Sequence, residues 1–191
     1  QGGFEDFVRA GYVVVTQDTR GRYASEGEFR VFSEENTGDA EDGYDTVEWA
    51  AVQPWCDGKV GTFGASYNAW MQYQLARLRP PHLVAMSAVS IPTELTDLDW
   101  PRAFKPARRV KWWVTTIAPD LRRRKGLPPP HTPAEAAKIW DELEQGRMLA
   151  LLPWINVARY LPAPLADQVA GWLRHPDRRP WRFEEAHRDI E

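Results

Sequence analysis

Between residues 12 and 89 the chain alternates between two hydrophobic periods, and this alternation restricts the fold more than any other feature. "YVVVTQD" (12–18) is a near-continuous β-branched run, and further apolar runs occupy 59–64 ("KVGTFG") and 83–89 ("LVAMSAV"). Such runs predict strands buried on both faces. The stretches between them have helical spacing. From Asp39 to Gln53, Ala40, Tyr44, Val47 and Ala51 make a stripe; Asp39, Glu41 and Asp42 crowd the start, where the macrodipole favours carboxylates, and Pro54 closes the segment. A second helix is predicted from about Ser66 to Leu78, stopped by "RPP". Strand, helix, strand, helix, strand is the order of one parallel unit with right-handed crossovers, an α/β arrangement. Ahead of it "GFEDFVRAGY" predicts a short helix ending at Gly11. The segment "TRGRYASEGEFRVFSEENTG" predicts a long irregular loop.

After about residue 92 the pattern changes. "AFKPARRVKWWVTTIAP", "TPAEAAKIWDELEQGRMLALL" and "PLADQVAGWLRH" read as helices, separated by the Pro-rich joints "GLPPPHTP" and "LPAP", with no strand among them. The second half therefore reads as a helical lid or cap inserted into, or appended to, an α/β core. The chain has 10 Trp, most of them from Trp100 onward; they either line an aromatic pocket or supply apolar bulk to a small helical layer.

Charge and cysteine usage narrow the function classes. The formal net charge is −3, with 24 Lys and Arg against 27 Asp and Glu, so no basic surplus calls for nucleic acid. The "LRRRKG" run at 121–126 reads as a solvated helix end. Cys56 is the sole cysteine, so no internal disulfide framework exists, and no Cys/His spacing suggests zinc. "DAEDG" at 39–43 lacks the ligand spacing of a calcium loop and reads as a helix start. No apolar run approaches the ~20 residues of a membrane span, so neither a membrane nor a metal is expected as partner. With Gln1 first and no leader, the chain reads as a piece of something longer, cytoplasmic by default. Oligomeric state is left open, because a short sheet exposes both of its edges.

The chemistry concentrates at "GTFGASYNAW". A nucleophile at the end of a parallel strand must lift its oxygen above the sheet, which forces a sharp, strained turn that small neighbours permit. Gly64 and Ala65 precede Ser66, and the helix begins directly after it, so the backbone N–H of Tyr67 would face a developing oxyanion. The pattern departs from G-x-S-x-G, since position 68 is Asn and the small residue is Ala69. Two readings stand at this point: Ser66 is a nucleophile, or it is a structural serine capping a helix.

Several motifs in order, "QDTRG", "SEGEF", "WCDGKVG" and "GASY", together with "FKPARRVKWW" and "WLRHPD", resemble the serine hydrolases grouped with cocaine esterase, the X-prolyl dipeptidyl aminopeptidases and the α-amino acid ester hydrolases. The resemblance is strong over residues 4 to about 90 and looser beyond. It implies a partial α/β-hydrolase core with a nucleophile elbow over 1–92 and a helical cap over 93–191. It also implies Ser66 as the catalytic nucleophile and the Tyr67 amide as part of the oxyanion hole. A small residue three places after the serine is usual there, which accounts for Ala69. The substrate would be a small ester or amide, X-prolyl peptides included, cleaved through an acyl-enzyme without metal or organic cofactor. Arg20 is expected to form a salt bridge to a carboxylate of the 39–45 helix.

A serine nucleophile needs a base, normally a His oriented by a carboxylate. The candidates are His82, His131, His175 and His187. By resemblance the acid and the His follow the cap, beyond Glu191, and a second oxyanion donor precedes Gln1, so the 191 residues alone are expected to turn over esters negligibly. Asp97 and Asp99 either greet an ammonium group of the substrate or are turn residues joining core to cap. A non-catalytic α/β-hydrolase-like module binding a partner or ligand through its Trp-rich half, or an inactive remnant, are the competing readings.

Overall fold

A computed structural model of the chain describes residues 3–32, 38–91, 107–144, 153–163 and 165–174. These fall into two compact units, one holding residues 3–20 and 38–91, the other residues 21–32 and the described residues from 107 onward.

The first unit contains α1 (Phe4–Arg9), α2 (Asp39–Ala51), β1 (Val60–Ala65), α3 (Tyr67–Ala76) and β2 (Leu83–Val89). β1 and β2 pair in parallel, from Val60 opposite Leu83 to Ala65 opposite Val89, and α3 makes the crossover. Successive side chains of β1 point to opposite faces, as the pleat requires. Thr62 Oγ1 donates to Gln72 Oε1 of α3 at 3.0 Å, while Phe63 turns the other way and meets the rings of Phe7 and Phe4, with centroids 4.7 and 5.8 Å away. Helices therefore flank both faces, the mixed α/β arrangement of a partial α/β-hydrolase core. α2 packs on α3 through Gly43, where a Cβ would lie 2.8 Å from Leu75 Cβ, so the two helices approach this closely only across a glycine.

Two strand expectations are corrected. Residues 12–18 form no strand, and Tyr12 and Val13 are 65% and 57% exposed. The described sheet thus has two strands rather than three. A β-branched run favours extended backbone, but a strand exists only where a neighbouring edge supplies hydrogen bonds, and among the described residues none pairs with this segment. Nor are β1 and β2 buried on both faces. The residues of β1 alternate between half-buried and exposed, and β2 mixes the two without a buried position, because the six residues of α1 cover little of the sheet face opposite α3.

The second unit is helical: α4 (Ala107–Trp112), a π-helical turn (Trp113–Ile117), α5 (Ala118–Arg124), α6 (Pro133–Glu144), a 3₁₀ segment (Trp154–Tyr160) and α7 (Leu165–Arg174). Its core includes Val110, Trp113, Ile117, Leu121, Trp140, Leu165 and Val169, so Trp113 and Trp140 serve as apolar bulk. α6 begins with a reciprocal cap. Glu135 N–H donates to Thr132 Oγ1 at 3.2 Å, and the Glu135 carboxylate accepts the backbone N–H groups of His131 and Thr132. The loop at 21–32 is fastened by a buried ion pair. Arg22 Nε lies 3.2 Å from Asp120 Oδ2, which also accepts the Tyr23 N–H at 2.9 Å, and the guanidinium sits 5.0 Å from the ring centres of both Tyr23 and Phe29. The basic run is engaged within the unit: Arg123 reaches Asp120, and Arg122, Arg124 and Lys125 donate to the carbonyls of Pro128, Tyr23 and Ala163. Among the described residues, no helix is long and apolar enough to cross a membrane.

Candidate active site

Ser66 is the single residue that ends β1 and starts α3. Its N–H donates to Val89 O at 2.9 Å, one more rung of the ladder, while its C=O accepts from Ala69 and Trp70 N–H at 3.0 Å each, the first bonds of the helix. Serving both elements at once requires an abrupt reversal, and Ser66 makes it at φ 56°, ψ −121°. A side-chain-bearing residue held there stores strain of about 1–3 kcal/mol, which concentrates at functional sites. Ser66 stands at the N-cap position of α3, but it is exposed and its side chain makes no capping bond to the helix start.

The neighbours show why the spacing is what it is. A Cβ on Gly64 would lie 2.6 Å from Asn68 Cβ, so the strand can run this close under the first turn of α3 only as glycine. Ala69 is completely buried, leaving no room for a larger side chain three places after the serine. Tyr67 opens the helix directly after Ser66, at the end of α3 where N–H groups point outward. On the adjacent strand, Ser90 leaves β2 exposed and at φ 59°, beside Ser66 at the same end of the sheet. Nothing in the sequence singled out Ser90. The crevice outside the carboxyl ends of parallel strands is where α/β sheets bind ligands.

The Tyr67 side chain is anchored on two sides. Its ring lies against Trp70, with centroids 5.4 Å apart, and its hydroxyl donates to Asp39 Oδ2 at 3.1 Å. Asp39, the first residue of α2, is only 4% exposed. Burial pushes its carboxyl up from 3.8 to about 6, helped by Asp42 and Glu41 and opposed by the Tyr67 hydrogen bond and by Arg20. Arg20 itself grips Asp42 with two parallel bonds, Nε to Oδ2 at 2.8 Å and Nη2 to Oδ1 at 2.5 Å, the salt bridge expected of it. The sequence reading took Asp39 only as a carboxylate favoured by the helix start. The overlooked signal was its spacing, since residues 39, 43, 47 and 50 share the face of α2 turned inward.

The histidines divide. His82 Nδ1 lies 2.7 Å from Glu48 Oε2, a His–carboxylate pair, but it directly precedes β2, whereas Ser66 adjoins Val89 at the opposite end of that strand. Seven residues of extended chain separate them, about 23 Å, so this pair is no base for Ser66. It ties α2 to the bottom of the sheet. His131 belongs to the second unit, where Nε2 lies 2.6 Å from Leu127 O at the start of α6. His175, His187, Asp97 and Asp99 lie outside the described residues.

A sequence model of the X-Pro dipeptidyl-peptidase family (S15) matches residues 2–145, a span that includes the elbow and reaches the end of α6. The chain belongs to this family. Cocaine esterase of Rhodococcus sp. (strain MB1 Bresler) is 33% identical over 187 residues, covering 90% of this chain and 30% of that protein. Proteins named "Putative serine esterase" in Mycobacterium bovis and Mycobacterium tuberculosis are each 33% identical over 111 residues, 58% of this chain and 17% of their own length. The chain thus spans less than a third of the length of the relatives it matches. Membership in this family of serine hydrolases agrees with the resemblance carried by "QDTRG", "SEGEF", "WCDGKVG" and "GASY".

Proposed function

We propose that Ser66 is the nucleophile of a serine hydrolase that cleaves small esters or acyl-amides, X-prolyl peptide bonds included, through an acyl-enzyme. The observation that carries this reading is the exposed, uncapped serine at φ 56° between a parallel strand and a helix. Family membership gives the same position its chemical context.

The geometry supports the following mechanism. Ser66 Oγ attacks the substrate carbonyl while its proton passes to a base. The oxyanion gathers beside the Tyr67 N–H, where the amides at the start of α3 favour negative charge. The leaving group takes the proton from the base, and water then attacks the acyl-enzyme by the reverse route. Side chains, backbone amides and water suffice for these steps. His82 faces the other end of the sheet, so among the described residues of the first unit no histidine is placed to act as the base.

A fluorophosphonate probe applied to the full-length protein tests the reading. Labelling that disappears in Ser66→Ala is the expected result. Absent labelling of the parent protein would overturn it in favour of a non-catalytic binding module. The 191 residues by themselves are expected to hydrolyse p-nitrophenyl esters negligibly. Turnover lost in Ser66→Ala would instead point to His175 or His187 as base.

A further inference from the structure

The contact between α2 and the first residue of α3 has no part in the chemistry described so far. Asp39 is a carboxyl nearly sealed from water, and the hydroxyl of Tyr67 reaches it from α3. Tyr67 also supplies the backbone N–H proposed for the oxyanion, so whatever fixes its side chain fixes the position of that amide relative to Ser66. Trp70, itself buried, closes the other side of the ring. The Tyr67 residue is therefore held between a rigid indole and a buried acceptor, and only the acceptor can change its charge.

We propose that Asp39 is a positioning residue for the oxyanion hole: in its ionised form it accepts the Tyr67 hydroxyl and so clamps the first turn of α3, and on protonation the clamp loosens. This rests on the reading of Ser66 as nucleophile. A hydrogen bond to an ionised acceptor is roughly twice as strong as one between neutral partners, so ionisation tightens the clamp without new contacts. Among the described residues, the charged and titratable groups around Asp39 are Glu41 and Asp42 on its own helix, Arg20 from the preceding segment and Tyr67 from α3. Arg20 is committed to Asp42, which leaves the Tyr67 hydroxyl as the donor to Asp39 from α3. The buried carboxyl changes protonation near pH 6, within the range where a hydrolase can be assayed.

The test is the rate of fluorophosphonate labelling of Ser66 between pH 5 and 8 in the full-length protein, for the parent, Asp39→Asn, Tyr67→Phe and the double variant. Titration of the base is common to all four proteins and cancels in ratios. The parent-to-Asp39→Asn ratio is expected to climb from near one at pH 5 to roughly three- to tenfold at pH 8, turning near pH 6, and to stay flat when both proteins carry Tyr67→Phe. A merely structural Asp39 would shift the rate equally at every pH. A ratio independent of pH, or one that still climbs in the Tyr67→Phe background, overturns the proposal while leaving Ser66 as nucleophile. A parent protein that labels at no pH overturns the nucleophile reading, and this inference with it.

Discussion

Replacing Asp39 by Asn should stabilise the protein at neutral pH, although the substitution removes a hydrogen-bonded carboxylate. Burial raises the Asp39 carboxyl from 3.8 to about 6, so the native state holds the proton more tightly than the unfolded chain does. Between those two values the native state binds more protons, and stability falls as pH rises. The contribution is fully present below about pH 3.8 and gone above about pH 6. Its size is about 3 kcal/mol, from a two-unit displacement at 1.36 kcal/mol each. Asn keeps an oxygen that can accept from Tyr67 and carries no charge to desolvate. The macrodipole of α2 favours a carboxylate at its first residue by about 0.5 kcal/mol, too little to reverse the sign. Urea unfolding followed by tryptophan fluorescence, to which buried Trp70 contributes, at half-unit steps from pH 4 to 8, measures the difference. The two proteins should be equally stable near pH 4, and the variant should be ahead by about 2–3 kcal/mol above pH 7. A difference that stays constant with pH, or a parent protein that is the more stable at pH 7, would refute the reasoning. A carboxylate that costs stability at working pH is also what a residue kept for function looks like.

Ser66→Gly should raise stability by about 1 kcal/mol, because glycine adopts φ 56° without strain, while abolishing fluorophosphonate labelling. Asp120→Ala should destabilise the helical unit by about 3 kcal/mol in urea unfolding, since it leaves Arg22 buried without its counter-charge. Burial alone would raise the Asp120 carboxyl, but the Tyr23 amide, Arg123 and Arg22 together hold it below its ordinary value, so its contribution is present above the unfolded pKa and is lost as pH falls through the native one. An acid titration of stability should therefore flatten in Asp120→Ala. His82→Gln should leave the labelling rate of Ser66 unchanged while costing about 0.5–1 kcal/mol of stability through the lost bond to Glu48; a large loss of labelling would contradict its place at the far end of β2.

Much of this was legible in the order of residues. The helix at 39–51, the strands at 60–65 and 83–89 and the helix at 67–76 lie within a few residues of where periodicity, caps and prolines placed them, and the described helices at 107–112, 133–144 and 165–174 fall inside the segments read as helical. The Arg20 pairing with the helix at 39–45 was legible too, because a guanidinium near a cluster of carboxylates has few better partners. The reading of 12–18 as a strand failed for a physical reason: a run of valines states a preference for extended backbone, and pairing is a property of two segments.

By itself the sequence determined a parallel α/β unit followed by helices, and a small-residue corner with one serine at its apex. Those features are local, set by spacing, glycine and the start of a helix. Only the tertiary structure decided that the serine hydroxyl caps nothing, that His82 sits at the wrong end of its strand, and that Asp39 is sealed beneath Tyr67. Each of these depends on which element packs beside which, and desolvation and reach are fixed by neighbours distant in the chain.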